Sequence, residues 1–167
     1  FAPFKALAPS PANRAFLVRL VRTLVARPDE TLTVAQARAI DQGVAALEAL
    51  PRERRSIAAL RSLLGQGDAG GVGARLERWQ RGGPLGWVLD NDEDALSLQA
   101  RFAGFDITQV LDHDEVRTPA MLYLFHRIAE RVDGRRLVLD IDEFWKVLGD
   151  PAFTELAQDG LKTWRKQ

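Results

Sequence analysis

The sequence has no cysteine, and its 167 residues include only two histidines, His113 and His126. Disulfides and thiolate metal sites are therefore excluded, and a histidine-rich metal centre lacks ligands. No apolar run approaches the ~20 residues needed to span a bilayer, and no basic-then-apolar signal segment opens the chain. These absences favour a reducing, cytoplasmic setting. Charge of one sign is missing as well: 23 basic residues balance 23 acidic ones, so no global field draws the chain to nucleic acid or anionic lipid. Arg52, Arg54, Arg55 and Arg61 could form a local basic patch, although a solvated helical face accounts for the same residues.

What is present suits a globular protein, 46% hydrophobic and 28% charged, with about one domain's worth of chain. The first half reads as helix from Pro11 to about Gln80. Phe16, Leu17, Leu20, Val21, Leu24 and Val25 recur at three- and four-residue spacing and make one apolar stripe. Pro28 closes that helix. Thr33-Val-Ala-Gln36 has the form of a capping box and opens a second helix, with Ala37, Ile40, Val44 and Leu47 on its inner face. A short helix from Ser56 to Leu64 ends at Gly65. The segment Gly65-Gln-Gly-Asp-Ala-Gly-Gly-Val-Gly73 is glycine-rich but lacks the Gly-Lys-Ser/Thr ending of a phosphate-binding loop, and it follows a helix. It reads as a linker.

Beyond Arg81-Gly-Gly-Pro84 the texture changes. Gly86-Trp-Val-Leu89 predicts a strand that runs into the polar turn Asp90-Asn-Asp-Glu-Asp94, and Leu98–Ile107 predicts an extended segment. Thr118-Pro119 predicts the cap and first position of a long helix lined by Met121, Leu122, Phe125, Ile128, Ala129 and Val132. Arg136–Asp142 predicts a further strand, with helices over Glu143–Leu148 and Pro151–Gln167. Strand and helix in alternation predict an α/β layer.

The chemistry concentrates in Leu137-Val-Leu-Asp-Ile-Asp-Glu143. Carboxylates at the end of a buried parallel strand sit where open α/β sheets bind ligands. In P-loop NTPases an aspartate there holds magnesium, and an adjacent glutamate can orient the attacking water. Asp142 fits the first role and Glu143 the second. A strand-to-helix junction with acidic residues near the helix start gives the same pattern. Asp140 interrupts the apolar run and calls for a basic partner such as Arg135 or Arg136, or for a partly solvated strand end.

Five blocks occur in order: Gly82-Gly-Pro-Leu-Gly-Trp-Val-Leu-Asp-Asn91, Phe105-Asp-Ile-Thr108, Glu115-Val-Arg-Thr-Pro-Ala-Met-Leu-Tyr-Leu-Phe-His126, Ile141-Asp-Glu-Phe-Trp-Lys146 and Leu161-Lys-Thr-Trp-Arg-Lys-Gln167. Together they resemble the CagE/TrbE/VirB family of type IV secretion and conjugal-transfer ATPases, closely over 82–167 and more loosely over 13–64. The resemblance implies a fold of the α/β class: a partial RecA-like P-loop NTPase core over 82–167, with an all-helical inserted subdomain over 1–81. It further implies ATP and magnesium as cofactors, with Asp142 as metal ligand and Glu143 as the catalytic member of a Walker B pair. Expected partners are further copies in a hexamer-like assembly and components of the inner-membrane secretion complex, at the cytoplasmic face of a bacterial inner membrane.

Several residues admit two readings. Arg117 could reach phosphate across a subunit boundary, or pair with Asp114 or Glu115. Lys162, Arg165 and Lys166 could face a neighbouring subunit or DNA, or form a solvated helix end. His126 falls on the polar, exposed side of its helix. Trp79, Trp87, Trp145 and Trp164 read as core or subunit-contact anchors. The chain opens on Phe1 rather than methionine, carries no Walker A loop and ends without a helix stop. These features predict an incomplete piece of a motor ATPase that does not turn over ATP by itself. The alternative is a non-catalytic assembly module. An acid/base hydrolase built on Asp140, Asp142 and Glu143 lacks a substrate-positioning motif.

Overall fold

A computed structural model describes residues 1–65, 68, 70–98, 100, 102–131, 138, 140 and 142. The chain divides into two compact units, Phe1–Ala95 and Leu96–Gln167.

The first unit is built from short helices, and side chains close the starts of its three longest. Helix α1 (Pro3–Ala6) leads into α2 (Pro11–Val25), where the Ser10 hydroxyl accepts from the Asn13 amide and Pro11 occupies the first turn. The α2 stripe of Phe16, Leu17, Leu20, Val21, Leu24 and Val25 is buried throughout, and each such side chain contributes about 1.5–3 kcal/mol. Helix α3 (Val34–Glu48) opens with the capping box foreseen from Thr33 and Gln36, each side chain bonding the other's backbone amide. It packs on α2 and on α4 (Ile57–Leu64), burying Ile40, Val44 and Leu47 with Ile57 and Leu60. Gly43 lets α4 come close, because a Cβ there would lie 2.8 Å from a Leu64 methyl. Helix α5 (Val72–Arg75), the 3-10 turn Glu77–Trp79 and helix α6 (Gly86–Leu89) complete the unit.

The second unit contains α7 (Thr108–Leu111) and α8 (Asp114–Ala129). Helix α8 is buried on most of its circumference, with Val116, Ala120, Met121, Leu122, Tyr123, Leu124 and Ile128 all shielded. It begins one turn before the expected Thr118-Pro119 cap. Pro119 lies inside the helix, where its ring forfeits one backbone bond.

The α/β expectation is overturned. Among the described residues there is no strand and no sheet, so the partial RecA-like core predicted for 82–167 is not the fold observed. The reason is clearest at Gly86–Leu89. A strand exposes backbone donors and acceptors along both edges and needs neighbours to pair with. These four residues instead close on themselves and their surroundings, with Val88 N–H donating to Leu85 O and Asp90 N–H to Gly86 O. The expected extended segment is irregular over 102–107. The predicted strand at 136–142 and the helices after it lie largely outside the described residues. Within that stretch Val138 is 91% exposed, which is not the environment of a buried strand.

Gly86 tests this packing. A Cβ on it would fall 2.1 Å from Gln80 O, a backbone atom that cannot swing aside. Gly86→Ala is expected to destabilise the first unit by about 1–3 kcal/mol in denaturant unfolding. Gly104→Ala, which meets nothing within 4 Å, should stay within about 0.5 kcal/mol of the parent. Equal stability of the two variants would contradict the described packing.

Candidate functional site

The residues singled out for chemistry fall into different settings. Asp142 is exposed and sits in a turn, and Asp140 is exposed two residues before it. Glu143, the expected water-orienting residue, lies outside the described residues. An exposed Asp140 needs no buried basic partner, which removes the difficulty the sequence raised. Magnesium takes six oxygen ligands, commonly one or two carboxylates with water and phosphate oxygens. The Asp142 carboxylate fits one such position. Among the described residues, no group of three histidine, aspartate or glutamate side chains could hold a metal ion.

The cations most available on paper to meet a phosphate are engaged in closing helix ends. Arg117 donates through Nε to Leu111 O at 2.8 Å and pairs with Asp114 at 2.6 Å. Its guanidinium thus ties the end of α7 to the start of α8 and makes the Asp114 pair expected from the sequence. Arg55 donates to Glu48 O at 2.9 Å and Leu50 O at 3.0 Å, and so caps the carbonyl end of α3. Arg61 donates to Gly73 O at 2.9 Å. The four-arginine patch therefore shrinks to Arg52 and Arg54, which are exposed in the 3-10 turn Arg52–Arg54.

Two surface depressions lie on the first unit. One, of about 440 Å³, lies among Arg75, Arg78, Gln80 and the Gly82–Pro84 turn. Its Arg75 is committed to Glu30 and to Val25 O. Arg75 also holds the Glu30 carboxyl below its ordinary range. The other, of about 700 Å³, runs along α2 past Ser10, Arg14, Val18 and Arg22. There Arg14 pairs with Glu48 and Arg22 with Asp41. These ion pairs leave neither depression with an arginine open to phosphate among Arg14, Arg22 and Arg75.

Sequence reasoning missed Asp90. It was read as the start of a polar turn, yet it is only 6% exposed. One carboxylate oxygen accepts from the Ile57 amide at 2.8 Å and the other from the Arg81 amide at 2.8 Å. The signal available was an aspartate directly abutting the apolar run Trp87-Val-Leu89, where a charge must find donors. Asn91 continues the tie, donating to Trp87 O at 2.9 Å. Trp79 is the core anchor foreseen, its indole N–H donating to Leu24 O at 3.0 Å, whereas Trp87 is about half exposed. Trp145 and Trp164, with Lys162, Arg165 and Lys166, lie outside the described residues.

His126 is half-buried rather than exposed. Burial pushes its imidazole below the ordinary 6.5, Glu130 opposes that shift and Arg127 reinforces it. A lowered folded value means that the unfolded chain binds the proton more readily. The resulting stability is complete above pH ~6.5 and is lost as pH falls through the folded value. Denaturant unfolding should therefore show stability dropping below pH ~6.5, with a shallower drop in His126→Gln. An unchanged slope in that variant would remove His126 from the effect.

No family model matches the chain. Similarity to curated proteins is nevertheless extensive. The chain is 44% identical over 166 residues to the type IV secretion system protein VirB4 of Bartonella quintana, covering 99% of this chain and 21% of that protein. Protein VirB4 of Agrobacterium tumefaciens is 37% identical over the same length, again 21% of its own sequence. For VirB4 of Brucella abortus the identity is 32% over 179 aligned positions, covering the whole chain. The chain thus spans about a fifth of the length of the curated relatives it matches. Similarity to these VirB4 proteins runs along almost the whole chain, beyond the 82–167 stretch that carries the five blocks, and identifies the chain as a VirB4/TrbE-family fragment.

Proposed function

We propose that this chain is a segment of the ATPase that powers type IV secretion. The observation that carries the reading is collinear similarity to VirB4 proteins over 166 residues, taking in both the helical first unit and the acidic stretch at Asp142-Glu143. In this reading Asp142 holds a hydrated magnesium ion and Glu143 orients the water that attacks the γ-phosphate. ATP is the substrate, and magnesium supplies charge neutralisation on its phosphates. The complete protein works at the cytoplasmic face of the inner membrane, on the secretion complex and with further copies of itself. No helix among the described residues is long and apolar enough to cross a membrane, which suits attachment to that complex through protein contacts.

The second reading, an assembly module without catalysis, draws support from the engaged arginines and from the first unit's own apolar core. The two readings differ in what Glu143 does. In a VirB4-length protein carrying this segment, Glu143→Gln should leave nucleotide binding within about twofold and lower hydrolysis by about 100-fold or more. Unchanged hydrolysis would remove Glu143 from the mechanism and favour the assembly reading. The 167-residue chain alone should show no turnover, because it has no Gly-Lys-Ser/Thr loop to hold the β- and γ-phosphates.

A further inference from the structure

The one buried aspartate among the described residues sits where the first unit hands the chain on. Only four residues separate Asp90 from Ala95, the last of that unit. Its two oxygens join points far apart in sequence: the Ile57 amide, 33 residues back, and the Arg81 amide, nine back. Ile57 is the first residue of α4, so its amide has no acceptor within the helix. The local cap, Ser56, is already committed to the Ala59 amide at 3.1 Å. Asp90 is therefore a second cap on α4, supplied by a different stretch of chain.

The helices of the unit differ in their dependence on it. Helices α2 and α3 are 15 residues each and are capped by Ser10, Thr33 and Gln36. Helix α4 has eight residues, well short of the ~12–15 at which an isolated helix becomes even marginally stable in water. Asn91 braces the carboxylate's own segment by donating to Trp87 O, and the packing of Gly86 beneath Gln80 O fixes its other end.

We propose that Asp90 is a latch that couples the position of the Gly86–Asn91 segment to the order of α4. When the chain leaving the unit draws this segment away, the carboxylate quits the Ile57 amide, the first turn of α4 opens, and α2 and α3 remain folded. The latch needs no nucleotide and stands whether or not the parent protein hydrolyses ATP.

Amide hydrogen exchange on the full 167-residue chain tests it, in the parent, Asp90→Ala and Asp90→Asn. Asp90→Ala should speed exchange at Ile57, at Arg81 and through α4 by about 10-fold or more, with α2 and α3 unchanged. Asp90→Asn should fall between the two, because a carboxamide keeps one acceptor oxygen of the original two. The proposal is overturned if α4 exchange is unaltered in both variants. It is equally overturned if α2 and α3 accelerate by the same factor as α4 or if both variants unfold, since Asp90 would then be a general core residue.

Discussion

Short helices set the terms of this structure, because every helix end leaves backbone groups that the helix itself cannot satisfy. In the first unit local caps meet some of those groups, and side chains arriving from elsewhere meet others. Trp79 and Arg75 meet the last carbonyls of α2, Arg55 those of α3, and Asp90 the first amide of α4. Cations at carbonyl ends and a carboxylate at an amide end also match the sign of the helix dipole. The apolar stripes bring the helices together. The charged ties decide where each one stops and which stretch of chain it touches.

That economy bears on function. Arginines that would suit phosphate or nucleic acid on a composition argument are mostly occupied in holding α3, α5 and α7 to their neighbours. The chemistry proposed for the chain falls instead at Asp142 and Glu143, in the second unit and away from the helical ties in sequence. In that proposal the helical unit supplies shape, and the short acidic stretch supplies a metal ligand and a water-orienting carboxylate. A segment spanning a fifth of its relatives' length can carry both without containing a whole nucleotide site.

Local signals were the legible ones. The capping box at Thr33 and Gln36, the Ser56 start of α4 and the stripe on α2 each depend on residues within two turns of one another, and each is present. Gly86–Leu89 was misread because four apolar residues carry no period, and their state is set by Leu85, Gln80 and Asp90 around them. Thr118-Pro119 was misread for a related reason, since the helix start is supported by acidic residues at Asp114 and Glu115 that also suit a first turn. Asp90 could not be found by pattern at all. Its partners lie nine and 33 residues away, and only the fold brings them to it. The α/β expectation followed from family resemblance and strand-like runs, neither of which supplies the neighbouring strands that a ladder requires.

The first 95 residues form a compact helical unit closed by these long-range ties. Nuclear magnetic resonance of residues 1–95 produced alone tests it most directly. A unit that folds on its own gives a dispersed spectrum, helical Cα shifts through α2, α3, α4 and Gly86–Leu89, and a downfield, slowly exchanging Ile57 amide. A collapsed spectrum, or extended-chain shifts at Gly86–Leu89, would contradict it.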